Sequence, residues 1–567
     1  MFAPYAVRFL WRRQAHCAQF VVIDDFYNPF TGVGGGLLII LSVQYGQSAR
    51  GIIKKADCRP SFTEENPMDD LVNAVNGVVW SPALIYLCLG VGLYFSVRTR
   101  FLQMRHFREM LRLMFNRQSS SSGVSSFQAL AMTLAGRVGT GNIAGVATAI
   151  TFGGPGAMFW MWMVAFLGAS SAFVESTLGQ VYKEKIDGQY RGGPAFYIEK
   201  GLGQKWYAWL FAITTVVATG LLLPGIQSNS IANSMQSAFG IAPSVSAAVL
   251  AIMLGFIIFG GVKRIAVFAG AVVPFMALGY IIVACVVIAL NIEQLPGVVA
   301  LIFKSAFGLE AGMGAILGFA IQWGVKRGIY SNEAGQGTGP HAASAAVVSH
   351  PAKQGLVQAF SVYIDTLFVC SATAFMLLIT GQYNVQGPDG QALYTGIAGV
   401  AAGPGYVQTA MESILPGFGS VFVALALFFF AFTTIIAYYY IAETNVAYIN
   451  RKAQRPWLVF ALKIGLMAAT VYGAVKTADM AWGLGDIGVG LMAWLNIVAI
   501  ILLRKPALAC LKDYEAQQAQ GLDPVFHPER LGIANAGYWS GGRAELNQAA
   551  ERPGEQPAGE AAPVKAS

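Results

Sequence analysis

The sequence predicts an all-α polytopic membrane protein with about eleven transmembrane helices. Three observations carry that prediction. Of 567 residues, 55% are hydrophobic and only 12% charged, whereas a soluble domain carries about 25% charged residues; mean hydropathy is +0.54. Apolar runs of the roughly 20 residues that a helix needs to cross a bilayer recur along most of the chain, and the basic residues gather between alternate runs. Glycine is abundant, at 65 residues, as closely packed or interrupted membrane helices require.

The runs cover approximately 77–97, 127–151, 156–181, 207–227, 244–262, 265–290, 311–349 (long and interrupted), 355–381, 416–444, 457–475 and 483–503. Arg98, Arg100, Arg105, Arg108, Arg112 and Arg117 follow the first, and Lys183, Lys185, Arg191, Lys200 and Lys205 the third. Lys263 and Arg264 follow the fifth, Arg451, Lys452 and Arg455 the ninth, and Arg504 and Lys505 the eleventh. The intervening loops 152–155, 228–243 and 382–415 hold no Lys or Arg. The positive-inside rule therefore predicts that the first span starts outside and the C-terminus is cytoplasmic. The net charge of +8 is thereby topology rather than a nucleic-acid face.

Residues 1–67 fit the pattern poorly. Val33–Val43 is too short to span, and Met68-Asp69-Asp70 opens onto the membrane domain, so 1–67 reads as an upstream extension or a disordered tail. Residues 68–505 read as the membrane domain. The stretch 506–567, charged and then rich in Pro, Gly, Ala and Glu, reads as a flexible cytoplasmic tail. The six cysteines form no C-x-x-C and the five histidines no i, i+4 pair. Neither a disulfide framework nor a metal centre of that kind is expected.

The second run breaks in its middle at Gly136-Arg137-Val138-Gly139-Thr140-Gly141-Asn142. Lipid cannot repair a lost backbone hydrogen bond, so such a break is tolerated only where it lines a cavity. Unwound backbone there offers N–H groups to an anion and carbonyls to a cation. The seventh run, of opposite orientation, breaks at comparable depth around Gln322-Trp323-Gly324-Val325-Lys326-Arg327-Gly328. Two inverted halves, about 127–290 and 311–503, each led by a broken helix, predict the LeuT-type (APC superfamily) five-plus-five inverted repeat with one extra N-terminal span. A small polar solute would bind between the breaks, with Gly324 at the second.

The residues themselves resemble the alanine or glycine:cation symporter family. The resemblance rests on Val138-Gly139-Thr140-Gly141-Asn142-Ile143-Ala144-Gly145 and on Gly324-Val325-Lys326-Arg327-Gly328-Ile329-Tyr330-Ser331-Asn332-Glu333-Ala334-Gly335. Trp80-Ser81-Pro82, Gln227-Ser228-Asn229-Ser230 and Phe430-Ala431-Phe432-Thr433-Thr434-Ile435 add to it, in order over about 68–505. The resemblance implies uptake of alanine, glycine or a similar small neutral amino acid, driven by Na⁺ or H⁺, in a bacterial-type plasma membrane. It implies no organic cofactor and no obligatory protein partner. Glutamine or another small zwitterion is the alternative substrate.

On physical grounds an amino-acid carboxylate needs N–H donors and positive potential, which the helix end at Thr140, Gly141 and Asn142 supplies. Thr433 and Thr434, midway along the ninth run, either bond back to the preceding turn or ligate Na⁺ with Asn142 and the carbonyls of Ala135 and Val138, since a hard cation prefers oxygen. Thr434 would also touch substrate. Tyr438, one turn on, would line the pocket where the resemblance suggests tryptophan. Gln227 either caps the substrate or makes an interhelical contact. Asp365, at membrane depth, is a functional candidate by default: it neutralises a second cation beside Asn142 or bridges to Lys326 or Arg327. Arg137 either points away from the cation site toward a carboxylate such as Asp365 or Glu175 or replaces the charge of one coupled ion, and Glu175, Glu333 and Glu443 read as gate or loop salt bridges. A membrane enzyme would need a nucleophile–base or metal set that is not evident, and a channel would not need off-centre broken helices.

Overall fold

Helix ends in this chain follow local chemistry. Ser125 accepts the Gln128 N–H, and the Gln128 side chain accepts the Ser125 N–H in return, a closed capping box. Prolines 82, 243, 351 and 456 open helices at positions whose N–H would be unpaired anyway. Gly203, Gly240 and Gly381 close helices in the left-handed conformation.

A computed structural model describes residues 67–115, 123–309 and 317–541. The chain divides into Met1–Asp70, of which only 67–70 are described, and Leu71–Ser567. The expected upstream extension, the start of the seventh run (311–316) and the end of the tail (542–567) lie outside the described residues.

In chain order the helices are α1 (Pro67–Val79), α2 (Pro82–Arg98), α3 (Leu102–Arg105), α4 (Phe107–Met114), α5 (Ser126–Arg137), α6 (Val146–Gly153), α7 (Ala157–Val181), α8 (Pro194–Leu202), α9 (Lys205–Val217), α10 (Leu223–Phe239), α11 (Pro243–Ile258) and α12 (Gly261–Leu290). They continue with α13 (Leu295–Ala306), α14 (Leu317–Asn332), α15 (Gly339–Ala345), α16 (Pro351–Tyr363), α17 (Ser371–Thr380), α18 (Pro404–Ile414), α19 (Gly419–Asn450), α20 (Pro456–Val475), α21 (Ala478–Leu502), α22 (Arg504–Ala519) and α23 (Gly537–Gly541). π-helical turns at Gly141–Gly145, Ala218–Leu222 and Ile364–Cys370 lead into α6, α10 and α17. Two small antiparallel hairpins, β1 (Glu184–Ile186) with β2 (Gln189–Arg191) and β3 (Asn384–Gln386) with β4 (Ala392–Thr395), complete the fold.

Among the described residues, 8 helical stretches are long and apolar enough to cross a membrane by length and composition. The expected spans at 127–151 and 311–349 are interrupted, and that at 244–262 is the 16-residue α11. α7 is buried along most of its length against α2, α14, α15 and α16. α10 meets α20 backbone to backbone: a Cβ on Gly473 would lie 2.2 Å from the Gly225 Cα. Phe256, Val267 and Phe275 stand exposed on α11 and α12, as side chains facing lipid tails do.

The tail departs from its expected flexibility. Through Gly541 it is folded: Tyr514, Phe526 and Trp539 are buried, the Phe526 N–H donates to the Ser349 carbonyl (3.0 Å) and the Trp539 indole to that of Gln180 (3.0 Å). These aromatic anchors are sparse among charged residues, so averaged composition concealed them.

Candidate functional site

α5 ends at Arg137. Val138 leaves the helical region at ψ 88°, and the chain re-enters helix through the π-turn 141–145. Such turns insert an extra residue and are frequent at functional sites. Two side-chain amides hold the exposed peptide groups. The Gly139 N–H donates to Asn142 Oδ1 (2.8 Å) and the Thr140 N–H to Gln227 Oε1 (3.1 Å). Both amide oxygens stand where an anion's oxygens could. Thr140 Oγ1 is buried without a hydrogen-bond partner.

On the other side of the break, Thr434 Oγ1 lies 2.8 Å from the Ala135 carbonyl oxygen, 3.4 Å from that of Val138 and 2.9 Å from that of Phe430. A hydroxyl has one proton, so this cluster holds more acceptors than donors. Gly139 makes the approach possible, because a Cβ there would sit 2.5 Å from Thr434 Oγ1 and 3.1 Å from Gln227 Oε1. Gly141 likewise lies under Tyr330, whose ring would be 3.0 Å from an added Cβ. The Gln227 amide donates to the Tyr330 hydroxyl at 3.3 Å. Tyr438, buried, faces Glu333 rather than standing open to solvent.

Asp365, on the π-turn 364–370, joins three elements. It accepts from the Asn142 amide (2.6 Å), the Thr366 hydroxyl (2.7 Å) and the Ser331 hydroxyl (3.0 Å). Cys370 Sγ lies 3.3 Å from the Asn142 amide nitrogen. Asp365 therefore sits beside Asn142, as one alternative expected, and does not bridge to Lys326 or Arg327. Those two pair with Asp486: Arg327 is bidentate at 2.9 Å to each oxygen, and Lys326 approaches at 2.8 Å. Ser331, Thr366, Cys370 and Asp486 were not singled out by sequence. Polar residues within apolar runs were the only available signal.

The second break falls elsewhere than predicted. α14 is continuous through Gln322–Gly328, and the chain unwinds at Glu333–Thr338, with Glu333 at φ 55°, Gly335 at 81° and Gly337 at 91°. Gly324 and Gly328 instead let α14 touch α7: added Cβ atoms would lie 2.5 Å from the Ala157 carbonyl oxygen and 2.4 Å from Val164 Cγ1. Gly324 is thus a packing residue and not part of the cradle. Thr433 also departs from expectation. Its hydroxyl donates back to Phe430 (3.0 Å) and lies 3.8 Å from the Met276 sulfur, away from the break, because a helix turns consecutive residues to different faces.

Arg137 points inward but forms no ion pair with Asp365 or Glu175. It donates to the Gln358 carbonyl (3.2 Å) and the Ser361 hydroxyl, while Nε and Nη2 have no hydrogen-bond partner. Glu175 accepts the Gly335 and Gly337 N–H groups and the Asn496 amide instead of a cation. Of the three glutamates read as salt-bridge partners, Glu443 alone pairs, with Arg191 at 3.2 Å.

Long apolar helices around two interrupted ones, with polar backbone and a buried carboxylate at the interruptions, define a polytopic membrane transporter rather than an enzyme. Residues 65–528 match the sodium:alanine symporter family, and the chain belongs to that family. It is 64% identical over 472 residues to "Putative sodium/proton-dependent alanine carrier protein YrbD" of Bacillus subtilis (strain 168), covering 83% of this chain and 98% of the relative. It is 54% identical to "Sodium/proton-dependent alanine carrier protein" of Bacillus sp. (strain PS3), over 76% of this chain and 97% of the relative. It is 44% identical to "Probable sodium/glutamine symporter GlnT" of Bacillus subtilis (strain 168), over 82% and 94%.

Proposed function

We propose that the protein is a secondary symporter that couples inward Na⁺ movement to uptake of alanine or glycine. The observation that carries this reading is the oxygen cluster at Thr434. Three carbonyls and one hydroxyl from two helices converge with more lone pairs than protons, and a small hard cation completes such a set. Ala135, Val138 and Thr434 are its proposed ligands, with the Asp365 carboxylate supplying negative charge through Asn142. The amino acid's carboxylate would take the Thr140 and Gly141 N–H groups, displacing the Gln227 oxygen, while Thr140 Oγ1 offers a further donor. The relatives' names, which pair sodium or proton with alanine, agree with this chemistry.

In the proposed cycle, the LeuT-type inverted halves rock about the two breaks, with eleven spans, the first starting outside and the C-terminus in the cytoplasm of a bacterial-type plasma membrane. Ion and substrate bind together because the ion holds residues 135–138 in the shape that presents the N–H groups. By linkage, the substrate must then tighten ion binding by the same factor. The relatives at 64% and 54% identity are named alanine carriers and the one at 44% a glutamine symporter, which favours alanine over glutamine. Counterflow in proteoliposomes tests the proposal. Alanine or glycine should exchange in a Na⁺-dependent manner and outcompete glutamine. Equal exchange without Na⁺ and without a proton gradient would end it.

A further inference from the structure

Three buried carboxylates surround one buried arginine between the two breaks, and their surroundings differ sharply. Asp365 accepts from three side chains. Glu175 accepts two backbone N–H groups and an amide. Glu333 accepts the Thr338 hydroxyl on Oε2 (2.7 Å) and has the Tyr438 hydroxyl beside it, while no close hydrogen bond reaches its Oε1. Hydrogen bonds to a carboxylate favour its charged form. By hydrogen bonds alone, Glu333 is the least supported of the three as an anion. Arg137 offers one positive charge against three acids and pairs directly with none of them, so this buried cluster falls short of positive charge. Buried unbalanced charge is expensive.

Glu333 also sits in a strained place, in the left-handed region at φ 55° although it is not glycine. Such strain persists where the surroundings enforce it and clusters at functional sites. A cavity of about 10 Å³, bordered by Gly136, Glu333, Thr338 and Tyr440, adjoins the carboxylate, room for a single water. The groups that face Glu333 are Arg137 from α5, Asp365 from the π-turn, Tyr438 from α19 and Tyr330 from α14. Glu175 approaches from α7 across Gly339, whose added Cβ would lie 3.1 Å from Arg137 Nη2 and 3.8 Å from Glu175 Oε1.

We infer that Glu333, under-bonded at the second break beside Arg137, is the proton carrier of this transporter: it binds one proton when the cradle is loaded and releases it to the opposite side. The inference rests on the symporter reading above and adds the proton as a second coupled ion. Protonation converts the carboxylate to a neutral acid that can donate from Oε1. That removes the excess negative charge and lets the segment 333–338 separate from Gly136 and α19.

The test uses the purified full-length protein in proteoliposomes containing a pH-reporting dye, with alanine added outside. The wild type should acidify the lumen as alanine enters, and its KM for alanine should depend on external pH. Glu333→Gln, a neutral isostere, should still exchange alanine but lose both the acidification and the pH dependence of KM, and Glu333→Asp should restore both. Alanine-driven acidification that persists in Glu333→Gln overturns the inference, as does a wild type that takes up alanine with Na⁺ and moves no proton at any pH. A wild type that takes up no alanine overturns the symporter reading instead. If Glu333→Gln does not reach the membrane, Thr338→Val provides the second measurement. Loss of the Thr338 hydrogen bond to the carboxylate should move the pH midpoint of KM upward, and an unmoved midpoint overturns the inference.

Discussion

The Thr434 hydroxyl lies 2.8 Å from the Ala135 carbonyl oxygen although 299 positions separate the two residues in sequence. That contact ties α19 to the end of α5 where its helical hydrogen bonds run out. An ion placed there would hold the unwound segment and the distant helix together. Thr434→Ala removes the oxygen without adding bulk. Apparent Na⁺ affinity should fall by roughly tenfold or more, about 1.4 kcal/mol, with normal membrane abundance, and Thr434→Ser should retain most of it. Na⁺ titration of alanine uptake alongside a western blot checks both.

Gly139→Ala should abolish uptake. Its Cβ would sit 2.5 Å from Thr434 Oγ1 and 3.1 Å from Gln227 Oε1, so both the oxygen cluster and the Thr140 N–H partner must shift. The expected outcome is no measurable alanine binding by purified protein that still elutes as a single species.

Asp486 holds two cations, Lys326 at 2.8 Å and Arg327 at 2.9 Å. Asp486→Ala leaves both buried and unpaired. Removing one partner from a buried ion cluster costs about 3–5 kcal/mol, so thermal unfolding in detergent should move sharply downward. Restoring neutrality with Lys326→Met in the same chain should recover part of the loss.

The folded part of the tail should undock in acid. Asp513 is held below the usual aspartate range, first by its hydrogen bond from His350 (3.2 Å). Burial holds His350 below the usual histidine value. The undocked histidine takes up a proton that the docked one refuses, and the undocked aspartate does the same at lower pH. Docking is therefore complete near neutrality and weakens as pH falls, first below the ordinary histidine range and then through the aspartate range. Hydrogen exchange of residues 504–541 should accelerate on acidification, and His350→Ala should blunt the first part of that response.

Much of the cradle was legible in sequence because backbone interruption leaves a chemical signature. A Gly-rich polar stretch inside an apolar run can only be stable lining something, which is why 136–142 was found and why Thr140, Asn142, Gln227 and Thr434 converge there. The second break was placed too early because Gly324 and Gly328 look the same in sequence whether they unwind a helix or let it press against α7. The choice between those two uses belongs to the neighbouring helix. Thr433 and Thr434 are adjacent and chemically alike, and the phase of α19 alone decides which one faces the break.

By itself the sequence determined the class of protein, the approximate positions of its apolar helices and one of the two interruptions, since each follows from the solubility of side chains and peptide groups in lipid. The tertiary structure alone decided which polar groups meet: that Asp365 gathers Asn142, Ser331 and Thr366, that Asp486 rather than Asp365 takes the cations, and that Glu333 meets Thr338 and Tyr438. Partners far apart along the chain are chosen by how helices pack. Packing depends on the shapes of whole faces, which no local stretch of residues encodes.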